Sequence, residues 1–179
     1  VADVYPDRSA IIYGSDEISW SQVYRRCRML ASALGKAGVG RNDTVAIMSP
    51  NIPAMYEAHF GIPMAGGVIN ALNTRLDASA IAFMLGHGEA KVVLVDREYR
   101  EVMLEAFEQL DHKPQLIDIQ DRQLSDMPAI GGIEYEDFIA RGDPDFEPVL
   151  PDDEWNAIAF GLRSRDCFCL QKGVAASTD

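Results

Sequence analysis

Ser49-Pro-Asn-Ile-Pro-Ala-Met-Tyr-Glu-Ala-His-Phe-Gly-Ile-Pro-Met-Ala-Gly-Gly-Val-Ile-Asn-Ala-Leu-Asn-Thr-Arg-Leu-Asp77 is the stretch that decides the fold. It follows Thr44-Val-Ala-Ile-Met48, a continuous apolar run of the kind buried on both faces of a parallel sheet. The stretch itself reads as a helix starting near Asn51, a good cap residue, and ended or kinked by Pro63 and the Gly66-Gly67 pair. A second short strand follows, and Asp77 caps a further helix carrying Ile81, Met84 and Leu85. Strand, helix, strand, helix in that order implies parallel pairing with helices packed on the sheet.

The same alternation continues on both sides. Upstream, Ala10–Tyr13 and Glu17–Trp20 read as a hairpin, and Ser19 with Gln22 forms a capping-box pattern. Val23, Cys27, Leu30 and Leu34 then recur at helical spacing until Gly38 ends the run. Downstream, Lys91–Asp96 is a strand, and Tyr99, Val102, Met103, Ala106, Phe107 and Leu110 form an amphipathic stripe. Gln115–Ile119 is one more strand. Residues 120–156 are polar and turn-rich, with a short helix at Tyr135–Ala140, and Ala157–Phe160 reads as a final strand. The fold class is therefore α/β, a mainly parallel, helix-covered sheet.

Composition bounds the function. The chain has 179 residues, 47% of them hydrophobic, enough for one core. A formal charge of −12 argues against non-specific nucleic-acid binding, which needs clustered Lys and Arg. No apolar run is long enough to span a bilayer. The three cysteines, Cys27, Cys167 and Cys169, are too few for a disulfide framework, so the expected compartment is the cytoplasm.

From Tyr5 to Phe160 the chain resembles the N-terminal part of the AMP-forming acyl-CoA synthetases, within the adenylate-forming ligase superfamily. Pro6–Ile12 resembles the family's opening strand, and Ile18-Ser-Trp-Ser-Gln-Val-Tyr24 its first core motif. Met64-Ala-Gly-Gly-Val-Ile-Asn-Ala-Leu-Asn73 resembles the second, and Asp152-Asp-Glu-Trp-Asn-Ala-Ile-Ala159 the acidic lead-in to the phosphate loop. Asn73-Thr-Arg-Leu-Asp77 is similar to the fatty-acyl and medium-chain carboxylate–CoA ligases. The resemblance implies residues 1–160 as the N-terminal part of an AMP-binding (adenylation) domain. It also implies a carboxylic acid, ATP, Mg²⁺ and CoA as reactants: an acyl-adenylate forms first, then an acyl-CoA.

Such chemistry needs a Gly/Ser/Thr loop after a strand, whose N–H groups and hydroxyls hold phosphate while a Lys offsets its charge. The family's loop reads approximately Ser-Gly-Thr-Thr-Gly-x-Pro-Lys-Gly. Residues 161–179 depart from it, forming a divergent tail in the loop's place. Ser164 stands where the first loop serine belongs, and Lys172-Gly173 resembles its end displaced by one position. Arg165, Asp166, Cys167 and Phe168 replace the small hydroxyl-bearing centre, and Asp166 repels phosphate. Ser164, Lys172 and Gly173 are thus a degenerate remnant, and no residue is assigned a catalytic or metal-binding role. So abrupt a break after Phe160 points to a change of reading frame, with a genuinely divergent or alternatively spliced tail as the alternative, and the expectation is a polypeptide inactive alone. The rival reading is non-enzymatic: a truncated product or an interaction module that self-associates through exposed apolar faces.

Other chemistry-bearing residues are read conservatively. Cys167 and Cys169 lack the further ligands that zinc requires. His59 is a packing residue, His87 a helix C-terminal residue favoured by the dipole, and His112 carries no signal. Gly66-Gly67 matches no nucleotide-binding fingerprint and reads as close helix–sheet packing. Asp143, Asp145, Glu147, Asp152, Asp153 and Glu154 read as a solvated acidic loop.

Overall fold

The computed structural model describes residues 1–124 and 127–150. An antiparallel hairpin, β1 (Ser9–Tyr13) and β2 (Asp16–Ser19), leads into α1 (Trp20–Lys36). There follow β3 (Thr44–Met48), α2 (Pro53–Met64), β4 (Val68–Ala71), α3 (Ala78–His87) and β5 (Ala90–Asp96). A 3₁₀ turn (Arg97–Tyr99) enters α4 (Arg100–Glu108), and β6 (Gln115–Ile119), β7 (Ile133–Glu134) and α5 (Tyr135–Ile139) complete the described chain. Strands β3 to β7 form one five-stranded sheet in the order β4-β3-β5-β6-β7, every pair parallel.

Side-chain alternation splits the core in two. Val45, Ile47, Val92, Leu94, Ile117 and Ile119 point to one face and pack under α1, α2 and α5. Ala46, Met48, Val93 and Val95 point to the other, under α3 and α4. All five residues of β3 are buried, as a strand covered on both faces requires. The helix after β3 lies on one face and the helices flanking β5 on the other, which makes the β3/β5 boundary a topological switch point.

Local signals in the sequence set most boundaries. The Ser19 hydroxyl accepts from Gln22 N and the Gln22 side chain accepts from Ser19 N, so Trp20 opens α1 instead of closing β2. Gly38, at φ +89°, lets Val39 N bond back to Leu34 O and closes the helix. The expected cap at Asn51 is not formed. Ile52 is the cap, without a side-chain bond, because Pro53 at the first helical position carries no N–H and is already set at a helical φ. The helix runs one residue past Pro63, and Gly66 at φ +82° turns the chain beneath it. A Cβ on Gly67 would stand 3.2 Å from Ile62 Cγ2 and 3.3 Å from Asp43 O, so Gly67 serves helix–sheet packing while Gly66 serves the turn. Strand β7, two residues long, went unread in the sequence, and residues 157–160 lie outside the described part.

Asp77 Oδ1 accepts from Ala80 N at 2.8 Å at the start of α3. Asp77→Ala is expected to cost about 1 kcal/mol, read as a shift of the urea midpoint at unchanged slope.

Candidate functional site

In an open parallel sheet, ligands bind beyond the carboxyl ends of the strands. Here that end carries Ser49 after β3, Asp96 closing β5, and Gln120–Asp121 after β6. Beside it the hairpin, α1, the start of α2 and α5 enclose a cleft of about 630 Å³, with Tyr13, Arg26, Ile52, Glu57, Asp121 and Tyr135 in its wall.

The cleft is organised around Glu57. This residue is fully buried in α2, a helix otherwise apolar on nearly every side. Arg26 of α1 donates to it twice, Nε to Oε1 at 2.5 Å and Nη2 to Oε2 at 3.2 Å. The Tyr135 hydroxyl of α5 donates to Oε2 at 2.7 Å. The same guanidinium reaches Glu136 with Nη1 at 2.9 Å and Nη2 at 2.7 Å, and Arg122 stands 3.4 Å from that carboxylate. One arginine therefore ties three helices together.

The protonation states follow from these contacts. Burial works against the Arg26 charge, but hydrogen bonds to Glu136 and Glu57 outweigh it and hold the guanidinium protonated. Burial pushes the Tyr135 hydroxyl well up, and the Glu57 charge adds to it. Burial alone would raise the Glu136 carboxyl, yet the bonds and charge of Arg26, with Arg122, bring it below the ordinary range. Cys27 is pushed up to about 12 by burial and by the neighbouring Glu57, so it is an inert thiol. Tyr13 rises to about 12 because its hydroxyl donates to Asp121 Oδ2 at 2.5 Å and because it is desolvated.

A depressed carboxylate pKa contributes stability that is present above the unfolded-state value and lost as pH falls through the folded one. Stability is therefore expected to fall on acidification below the ordinary Glu range, with Glu136→Gln flattening that part of the profile. Chemical melts at stepwise lower pH read the difference.

This cluster cannot do acid–base chemistry on a substrate. Glu57 has no exposed surface, its Oε1 accepts from Arg26 and its Oε2 from Arg26 and Tyr135, and a general base must come within reach of the proton it takes. It is a clasp. Nor does the described sheet end fit a triphosphate and its metal. Asp96 is 1% exposed, its Oδ2 has no hydrogen-bond partner among the described residues, and burial raises its carboxyl, with Asp121 and Glu98 adding. Asp96 closes β5 and Asp121 follows β6, and among the described residues no loop of small donor residues with a lysine stands at this sheet end. The described residues hold no group of three or more side chains able to bind a metal, and no described helix is long and apolar enough to cross a membrane.

The remnant Ser164, Lys172 and Gly173 and the pair Cys167 and Cys169 lie outside the described residues. His59 is half-buried, its Nδ1 2.7 Å from Met55 O one turn back. His87 ends α3, exposed and stacked on Phe83 at 5.2 Å, and His112 is exposed in a connection. In the acidic loop Asp145 and Glu147 stand 3.9 and 3.7 Å from Arg28 and remain open to solvent. The clasp was missed from the sequence because its members are far apart along the chain. The one signal was Glu57 itself, a lone charge in an apolar helix.

Comparison with known proteins agrees with the architecture. The model of the AMP-binding enzyme family matches residues 1–158. The peroxisomal acetate/butyrate–CoA ligase of Arabidopsis thaliana is 45% identical over 175 residues, covering 91% of this chain and 31% of that protein. An acetate–CoA ligase of Humulus lupulus is 43% identical, covering 98% of this chain and 33% of its own length. Among solved structures, an anthranilate CoA ligase in complex with anthranoyl-AMP superposes with a TM-score of 0.78 at 19% identity, over 88% of this chain and 29% of that one. A benzoate CoA ligase from Burkholderia xenovorans gives 0.76 at 23% identity, over 90% and 30%. The chain thus spans about a third of the length of these relatives. Its matched residues and its doubly wound sheet make it a member of the AMP-binding enzyme family, of which it carries the N-terminal part.

Proposed function

We propose that residues 1–160 are the N-terminal part of an ATP-dependent carboxylate–CoA ligase acting on short aliphatic or related fatty acids, the alternative being a non-catalytic truncated product. The observation that carries the reading is the family match from residue 1 to 158, with relatives named for acetate and butyrate. A carboxylate oxygen attacks the α-phosphorus of ATP and the bond to the β-phosphate oxygen breaks, giving acyl-adenylate and pyrophosphate. The CoA sulfur, losing its proton, then attacks the acyl carbonyl and AMP leaves. ATP, Mg²⁺ and CoA are the co-reactants that this family chemistry uses.

Within that reading, residues 1–160 supply the first part of the adenylation domain, and 161–179 stand where the phosphate loop belongs. In the sequence Arg165, Asp166, Cys167 and Phe168 stand where the loop needs small donor residues, so Ser164, Lys172 and Gly173 are read as a degenerate remnant. The 179-residue polypeptide is therefore expected to be inactive alone, and electrostatic stabilisation of the transferring group is the largest catalytic contribution it lacks. Self-association of the isolated chain through exposed apolar faces is the companion expectation, with Tyr24 on α1 and Phe60 on α2 exposed on the same side of the sheet. Composition favours the cytoplasm, while the Arabidopsis relative is peroxisomal. The test is thioester formation from ATP, Mg²⁺, CoA and straight-chain acids of increasing length. A protein that continues residues 1–160 with the family's phosphate loop is expected to turn over the short acids and the 179-residue chain none; acid-dependent turnover by the latter would overturn the assignment of its tail.

A further inference from the structure

The β1–β2 hairpin stands apart from both cores. Neither of its strands contains a buried residue, whereas every residue of β3 is buried. Ile12 is 75% exposed, and Tyr13 is the one side chain of these two strands that packs against a core. The hairpin joins no strand of the five-stranded sheet. A two-stranded hairpin is at best marginally stable by itself in water, so its place depends on the attachments at its two ends.

The base is bound to the start of α1. Trp20 N bonds to Arg8 O and Ser21 N to Pro6 O, both at 3.0 Å, and the Ser19 capping box makes β2 continuous with the helix. The tip, roughly 13 Å away at about 3.3 Å per strand residue, is bound elsewhere, to the turn after β6. The Tyr13 hydroxyl donates to Asp121 Oδ2 at 2.5 Å, and Gln123 Nε2 donates to Tyr13 O at 2.6 Å. Asp121 Oδ1 accepts from Gln123 N at 2.9 Å, so one Asx turn sets both of the residues that hold the tip. Gly14, at φ +58°, makes room for the Gln123 amide, since a Cβ there would lie 1.9 Å from Gln123 Nε2. Tyr13 and Ile18 line the cleft from the hairpin side, and Gln120 and Asp121 line it from the turn after β6.

We propose that the β1–β2 hairpin is a lid on this cleft, hinged at the start of α1 and latched at its tip by Tyr13 on Asp121 and Gln123. An element with few buried apolar contacts opens locally at a lower free energy than the core. Here opening gives up the two tip bonds and the Tyr13 ring contact and leaves the parallel sheet whole. It gives small molecules a path to the cleft wall at Ile52 and Ala54, which are buried with the lid closed. The lid is a property of the described residues and is independent of the ligase reading.

Amide exchange on the 179-residue chain, read in rising sub-denaturing urea, tests the lid. The hairpin amides are expected to exchange as one group, about 100-fold or more faster than β3 and β5, with little dependence on urea, because local opening exposes little surface. Tyr13→Phe keeps the ring and removes its bond to a carboxylate, and is expected to quicken hairpin exchange by about tenfold or more. Gln123→Ala, which leaves Tyr13 and Asp121 in place, should quicken it by about threefold or more. Protection of β3 and β5 should not change in either variant. The cleft itself is read by labelling Ala54→Cys with a small thiol reagent, with peptide mass spectrometry separating this position from Cys27, Cys167 and Cys169. Labelling at position 54 should quicken in the Tyr13→Phe background by the same factor as hairpin exchange. Hairpin amides that exchange together with β3, latch variants that leave their exchange unchanged, or labelling at position 54 that does not follow it, would each overturn the lid. Loss of β3 protection in both latch variants would make the hairpin part of the core and overturn it equally.

Discussion

Arg26→Met is expected to destabilise the chain by roughly 3–5 kcal/mol, the cost of leaving one member of a buried ion pair behind. Glu57 has no exposure to water and keeps only the Tyr135 hydroxyl once the guanidinium is gone. The isolated carboxylate must then either stay charged in an apolar helix or take up a proton, and both routes cost stability. Glu57→Gln should cost less, since an amide oxygen still accepts from Tyr135 and Arg26 keeps Glu136. Replacing both at once, Arg26→Met with Glu57→Leu, should return much of the loss, because what is costly is the uncompensated charge. Urea unfolding of the three variants tests this. If Arg26→Met alone costs less than about 1 kcal/mol, the clasp is not what holds α1, α2 and α5 together.

Leu30→Ala is the second large effect, at about 2–5 kcal/mol. Leu30 is fully buried where α1 crosses α2, and the helices approach closely because Gly61 has no side chain. A Cβ there would lie 2.7 Å from Leu30 Cδ2 and 3.1 Å from Cys27 O. Gly61→Ala alone is thus an overpacking change worth about 1–3 kcal/mol. The double variant is the informative one. Truncating Leu30 opens the space that the new methyl needs, so the two losses should fall short of additive, by about 0.5 kcal/mol or more. Strict additivity would mean that Leu30 and Gly61 do not share this contact.

What could be read in the sequence divides along a physical line. Strand β3, the caps at Ser19 and Asp77, the stop at Gly38 and the parallel order all follow from short-range periodicity or from one turn's chemistry. The family resemblance rested on motifs of that same local kind. Asn51 misled because a favourable cap residue competed with Pro53 two positions on, whose missing N–H and fixed φ decided where α2 begins. Strand β7 was invisible because two residues carry no period. The clasp of Arg26, Glu57, Tyr135 and Glu136 is a tertiary fact, its partners 31 and 110 residues apart from Arg26. Only the oddity of a carboxylate among Ala54, Met55, Tyr56, Ala58 and Phe60 announced it. The bonds from Arg28, Lys36 and Arg41 to the main chain of Phe146, Arg141 and Leu150 had no signal at all, because their acceptors are carbonyls that every residue carries.

The most direct test of the ligase reading is the nucleotide product formed without CoA. A protein that continues residues 1–160 with the family's phosphate loop, given ATP, Mg²⁺, acetate or butyrate and hydroxylamine as acyl acceptor, is predicted to release AMP, pyrophosphate and the acyl hydroxamate in equal amounts. Release of ADP and inorganic phosphate, or of hydroxamate without AMP, would contradict it.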